Sequence, residues 1–190
     1  MKKILIVDFD DSFIYNVAEL CQSWSLDFEV HHHSKITSEF ITSHKFKNII
    51  WGPGPGHPEQ YPKALELLKH LLKEEIFHFG ICLGHQLIFK SLGYEIVSAE
   101  SKKHGRSGKF KVPKWAVFAE EFWGLEIDVQ YYSSLAVKKA DTSDDLKLVV
   151  DNGAVLSGYS ENFLSYQFHP ESVGTSCPEA LFRGFKEKMI

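Results

Sequence analysis

At 190 residues, with 44% hydrophobic and 24% charged side chains, the chain fits one globular domain, residues 1–190, with room for a sizeable core. A formal charge of −4 with no Lys/Arg-dense block argues against nucleic acid as a primary partner, and no apolar run approaches membrane-spanning length. Cys21, Cys82 and Cys177 are an odd number without C-x-x-C spacing, and the short apolar N-terminus is no signal peptide, so reduced thiols in a cytoplasmic enzyme are expected.

Lys3 to Val7 is an apolar, β-branched run that predicts a strand. Asp8-Phe9-Asp10-Asp11-Ser12 then offers helix-capping chemistry, and Phe13, Val17, Leu20, Cys21 and Trp24 recur at helical spacing, which places Cys21 in the core. Phe28 to His31 predicts the next strand. His31-His32-His33 invites a metal-site reading, but consecutive strand residues point to opposite faces and cannot all converge on one ion, so a solvated strand end and no metal are expected. Asn48 to Trp51 predicts a third strand, followed by Gly52-Pro53-Gly54-Pro55-Gly56-His57-Pro58. Alternating prolines and glycines make a rigid loop with a few exposed amides, either a tight connection or a positioning loop. Pro62 to Lys73 reads as a helix with proline in its first turn.

Ile76 to Phe79 is again apolar, and the run breaks at Gly80-Ile81-Cys82-Leu83-Gly84-His85-Gln86 before helix-compatible residues from His85 to Leu92. Glycines two positions either side of Cys82 copy the spacing of the G-x-S-x-G nucleophile elbow, where the backbone bends sharply enough to expose the nucleophile. A helix starting just after the thiol places N–H groups and the positive dipole end near sulfur, which favours thiolate. A lone cysteine in an apolar strand is commonly an inert core residue; the two glycines favour the nucleophile.

Beyond Tyr94 short β-type runs follow without intervening helices: Glu95 to Ala99, Lys109 to Val112, Ala116 to Phe118, Ile127 to Tyr132, Leu146 to Val150, Ala154 to Tyr159 and Leu164 to Phe168. They predict an antiparallel or mixed extension of the α/β half, closed by a helix from Pro178 to Met189. A nucleophilic cysteine needs a base. His169 follows the last strand and precedes Pro170, which holds it extended, so Glu171 two residues on projects from the same side and can orient the imidazole. His-Pro-Glu alone would read as an exposed turn; with the elbow it supplies a base and its orienter.

Gly-Ile-Cys-Leu-Gly-His-Gln at 80–86 and Tyr-Gln-Phe-His-Pro-Glu-Ser at 166–172 resemble the nucleophile and histidine motifs of class I, or triad-type, glutamine amidotransferases. The branch most resembled is the small subunit of anthranilate synthase and the glutaminase subunit of aminodeoxychorismate synthase. Asp8 to Asn16 resembles its Asp-Asn-Tyr-Asp-Ser-Phe-Thr-Tyr-Asn pattern, and Gly52 to Pro58 its Ser-Pro-Gly-Pro-Gly-x-Pro loop. His104 to Ser107 stands where it commonly has His-Gly-Lys-x-Ser, and Tyr131 to Leu135 where it commonly has Arg-Tyr-His-Ser-Leu. Gly52, Arg106 and Ser133 depart from the usual serine, lysine and histidine. The resemblance implies an α/β fold, a mainly parallel open sheet flanked by helices with an antiparallel extension. It implies a Cys82, His169, Glu171 triad, an oxyanion hole from the Gly54 and Leu83 amides, and L-glutamine bound by Gly54, Pro55, Gly56, Gln86, Ser134 and Leu135. No cofactor is implied. The partner implied is a large chorismate-binding synthase subunit that uses the ammonia; the alternatives are the glutaminase subunit of a GMP synthetase, a γ-glutamyl hydrolase, or a non-catalytic binding subunit.

Overall fold

A computed structural model describes residues 3–99, 105–115, 120–141 and 145–189. The first half alternates strand and helix: β1 (Ile4–Asp8), α1 (Ile14–Ser23), β2 (Phe28–His32), α2 (Ser38–His44), β3 (Asn48–Trp51), α3 (Pro62–Leu71), β4 (Phe77–Ile81) and α4 (Leu83–Ser91). The second half is almost entirely strand: β5 (Ile96–Ser98), β6 (Arg106–Lys111), β7 (Glu126–Tyr131), β8 (Leu135–Lys138), β9 (Lys147–Asp151), β10 (Ala154–Tyr159) and β11 (Phe163–Tyr166), then α5 (Pro178–Met189).

The main sheet runs β2-β1-β3-β4-β11-β10-β8-β5, with β9 also paired to β10. From β2 to β11 neighbours are parallel; the pairings made by β10 and β8 are antiparallel. The expected parallel half with an antiparallel extension is therefore the fold. β1, β3 and β4 read as largely apolar runs because both faces are covered. Ile4, Ile6, Ile50 and Phe79 bury one face against Val17 and Cys21 of α1 and Leu181, Phe182 and Phe185 of α5. Leu5, Val7, Ile49 and Trp51 bury the other against Ile41 of α2, Leu68 of α3 and Leu87 of α4. Period-two alternation sorts adjacent residues of one strand into two separate cores.

β6 and β7 form a separate antiparallel ribbon, tied to the region beyond β11 by an isolated bridge between Gln130 and His169. Two elements carry little signal in the sequence. α2 is short and polar, capped by the Thr37 hydroxyl accepting from Phe40 N–H at 3.1 Å. β8 is only four residues long. α4 begins at Leu83, two residues earlier than the sequence pattern suggests, because Cys82 already occupies the turn. The expected strand Ala116 to Phe118 and the His104 position lie outside the described residues.

The topology places the chemistry. β4 and β11, far apart in sequence, are parallel neighbours, with Ile81 level with Tyr166. Cys82 N–H donates to the Tyr166 carbonyl at 2.9 Å, so the chain leaving β4 at Cys82 runs beside the chain leaving β11 toward His169. This is the carboxyl end of the parallel strands, where open α/β sheets place their ligands.

Candidate active site

Cys82 sits between β4 and α4 with φ 52° and ψ −99°, a conformation that L-residues avoid and that persists only where the surroundings impose it. The surroundings are the two glycines. A Cβ at Gly84 would lie 2.0 Å from the Trp51 carbonyl oxygen, and one at Gly80 2.9 Å from the His85 nitrogen, so only glycine lets β3, β4 and α4 approach this closely. The elbow is thus a sterically enforced turn. Leu83, the first residue of α4, brings one of the unpaired N–H donors found at any helix start.

His169 and Glu171 are nearly inaccessible, and His169 Nδ1 lies 2.7 Å from Glu171 Oε1. That bond puts the proton on Nδ1 and leaves Nε2 to the thiol; among the described residues Nε2 has no hydrogen-bond partner. The ring is held from several sides. Tyr132 packs on it edge to face at 4.9 Å and Phe13 at 5.3 Å, while its backbone donates to Gln130 and accepts from the Thr175 hydroxyl at 2.7 Å. Burial works against charge on His169, but its interactions with Cys82 and with the bonded Glu171 carboxylate outweigh it, and its pKa is raised well above the ordinary histidine value. The buried His169 is thereby biased toward its protonated form.

Gly54 and Leu83 are brought together: the position a Gly54 Cβ would take is 2.5 Å from Leu83 Cδ2 and 2.6 Å from Phe9 Cβ. The loop carrying Gly54, Pro55 and Gly56 is pinned by Gly52 N–H donating to the Val7 carbonyl, by the Tyr61 hydroxyl donating to the Pro55 carbonyl at 2.9 Å, and by His57 N–H donating to Gln60 Oε1 at 2.7 Å. Gly52, which stands where the resembled motif has serine, has its reason here: a Cβ would lie 2.5 Å from Ile14 Cδ1 and 2.8 Å from the Val7 carbonyl oxygen.

Gln86 is buried on α4 and its Nε2 donates to Ser133 Oγ at 3.1 Å and to Gln167 Oε1 at 3.2 Å. Ser133 in turn accepts from Leu135 N–H at 3.0 Å. The Ser133 substitution is thus absorbed into a polar network that fixes the Ser134-Leu135 backbone, with the Ser134 carbonyl accepting from Ala99 N–H at 2.9 Å. A cavity of about 630 Å³ adjoins this network, its described lining including Tyr131, Ser133, Leu135, Lys138, Asp151 and Gln167 but none of the triad. Arg106 lies exposed on β6, away from these contacts.

Sequence reasoning missed Gln167. Its Oε1 anchors Gln86 and its Nε2 lies 4.0 Å from Cys82 Sγ, which makes it the only side chain that links the thiol to the Gln86 network among the described residues. A signal was present only in its place: Gln167 stands two residues before His169, immediately past the end of β11.

Residues 5–188 match the family model described as glutamine amidotransferase class-I. The chain is 30% identical over 193 residues to the aminodeoxychorismate/anthranilate synthase component 2 of Bacillus subtilis, covering 97% of this chain and 95% of that one. It is 29% identical over 193 residues to the bifunctional protein TrpGD of Thermotoga maritima, covering 97% of this chain but 32% of that protein, so it spans about a third of that relative. Among solved structures, a putative GMP synthase protein from Thermoplasma acidophilum superposes with a TM-score of 0.83 at 20% identity, covering 99% of this chain and 94% of that one, a likeness of fold.

Proposed function

Because the chain belongs to the class I glutamine amidotransferase family, we propose that its site hydrolyses L-glutamine to glutamate and passes the ammonia to a large chorismate-binding synthase subunit, in anthranilate or 4-amino-4-deoxychorismate synthesis. The observation that carries the glutaminase reading is the convergence of the strained Cys82 turn with the buried His169–Glu171 pair at the ends of two adjacent parallel strands.

In this reading Cys82 Sγ attacks the side-chain amide carbon of glutamine. The carbonyl oxygen becomes an oxyanion facing the Gly54 and Leu83 N–H groups; removing one such pre-aimed donor costs roughly 3–4 kcal/mol in barrier. His169 gives its Nε2 proton to the departing nitrogen, ammonia leaves, and a γ-glutamyl thioester remains. Water then attacks as His169 takes its proton back, and glutamate departs with the sulfur restored as thiolate. Glu171 holds the ring in the tautomer that aims Nε2 at sulfur. Gln86, Pro55, Gly56, Ser134 and Leu135 line the substrate's path, with Gln167 and Ser133 holding Gln86 and Leu135 in place.

The partner assignment is supported by the component 2 names of the relatives and by the chain offering no second catalytic constellation for an ammonia acceptor among the described residues. Cys82→Ala should abolish glutamine-dependent synthesis by the complex while leaving synthesis from added ammonium nearly intact. Equal loss of both would remove Cys82 from a purely glutaminase role. Glutaminase kinetics on the isolated chain, then with chorismate-binding enzymes and with the catalytic part of a GMP synthetase, decide the partner: activation by the chorismate enzymes alone is expected, and activation only by the GMP synthetase would overturn the assignment.

A further inference from the structure

The histidine run at 31–33 has no part in the chemistry above, yet two of its members are brought together. The alternation argument holds for His31, which bonds Glu29 at 2.8 Å and packs on Phe40. It fails one residue later, because β2 ends at His32 and His33 opens a 3₁₀ turn, so the next two rings fall on the same side with centroids 4.3 Å apart. Asp10, from the loop after β1, reaches the same point: one carboxylate oxygen of Asp10 and one ring nitrogen each of His32 and His33 lie within 4.8 Å of one another.

We propose that Asp10, His32 and His33 bind a divalent transition-metal ion of the kind that prefers imidazole, zinc being the representative. Two imidazoles and a carboxylate are a donor set zinc accepts, and the exposure of Asp10 leaves a fourth position open to water. Bonds of about 2.0–2.2 Å to each donor require donors that sit closer together than 4.8 Å, a small closure that the exposed Asp10 side chain can supply. Both histidine rings are already held in place. His32 Nε2 is 3.1 Å from Asp10 Oδ2, while its Nδ1 accepts from Ser34 N–H at 3.3 Å and lies 2.7 Å from the Ser34 hydroxyl; on binding an ion Nε2 gives up its proton, and the Ser34 hydroxyl can accept the one that Nδ1 then carries. The His33 ring is stacked on Phe9 at 5.2 Å and meets the edge of Tyr61 at 5.1 Å, so its orientation is set by packing. Asp10 is held at φ 63° with its N–H donating to Asp8 Oδ1 at 2.9 Å, a local turn that presents the carboxylate toward β2.

The ion would tie the loop after β1 to the end of β2. The same Phe9 that backs His33 touches Gly54, and the Tyr61 beside it bonds Pro55, so the site lies directly behind the loop of the active site.

Zinc titration calorimetry on the full chain without a purification tag tests the proposal, in a Cys82→Ala, Cys177→Ser background so that the only thiol left is Cys21, which is fully buried. One ion per chain should bind. Asp10→Asn and His32→Gln should each weaken binding at least tenfold; Asp10 is exposed, so its variant tests the site even if a histidine variant misfolds. Cobalt in place of zinc should give the visible absorption of a nitrogen- and oxygen-ligated ion, and Asp10→Asn should diminish it. Absence of saturable zinc binding, or an Asp10→Asn variant that binds zinc as tightly as the parent, would overturn the site.

Discussion

The strain at Cys82 can be measured apart from catalysis by comparing two variants that both lack sulfur. Cys82→Ala keeps a Cβ at φ 52° and ψ −99°, whereas Cys82→Gly adopts the same angles freely. At an ordinary position glycine is less favourable than alanine by about 0.5–1 kcal/mol, because it loses more backbone freedom on folding. Here alanine retains a strain of about 1–3 kcal/mol. The glycine variant also gives up the buried Cβ, which costs it about 0.8 kcal/mol more than alanine. Set against the glycine entropy and the lost Cβ, this strain should still reverse the usual order, making the glycine variant more stable by about 0.5 kcal/mol, or about 1–2 °C in Tm for a chain of this size. Both should lack glutaminase activity. Thermal and urea unfolding of the two proteins read the sign directly. An alanine variant more stable than the glycine variant by about 1.5 kcal/mol, the sum of the entropy and Cβ terms, would show that the turn is not held against a backbone preference.

His169→Ala should remove nearly all glutamine turnover, whereas Glu171→Gln should leave a measurable remnant because the ring still reaches sulfur part of the time; steady-state kinetics with full activity in Glu171→Gln would take the carboxylate out of the mechanism. Gln167→Leu, close in volume, should lower kcat/KM about tenfold without unfolding the chain, since it leaves Gln86 without one of its two anchors, and unchanged kinetics would reduce Gln167 to packing. Acid should weaken the fold through two buried neutral histidines: burial lowers His78 to about 4 and His85 to about 3. The unfolded chain then binds protons that the folded chain refuses below pH 6.5, and each histidine costs on the order of 1.5 kcal/mol between pH 6.5 and 5. His169 has the opposite sign; its raised pKa keeps its stabilisation in that window and loses it only as pH climbs through the folded value. Urea unfolding should show that acid-side loss, and a stability change below 1 kcal/mol across the window would contradict it.

Much of this protein was legible because its signals are local. The largely apolar runs of β1, β3 and β4 declare strands covered on both faces, and the glycine spacing around Cys82 declares a turn that only small residues permit. His169 and Glu171 do meet, at 2.7 Å, but through a turn and not through the expected extended chain: Pro170 and Glu171 lie in a turn in which Ser172 N–H donates to the His169 carbonyl at 3.3 Å. Local spacing could not say that β11 would enter the sheet beside β4, and that pairing is what carries His169 to Cys82. Nor could it show Gln167 as the link from thiol to Gln86, since their partnership depends on the register of two strands more than eighty residues apart. Gly52 reads as a lost serine until Ile14 and the Val7 carbonyl fill the space where a side chain would go. The histidine run turns on the same distinction. Alternation along an ideal strand separates His32 from His33, but the strand ends between them, and where a strand ends is decided by the neighbours it pairs with.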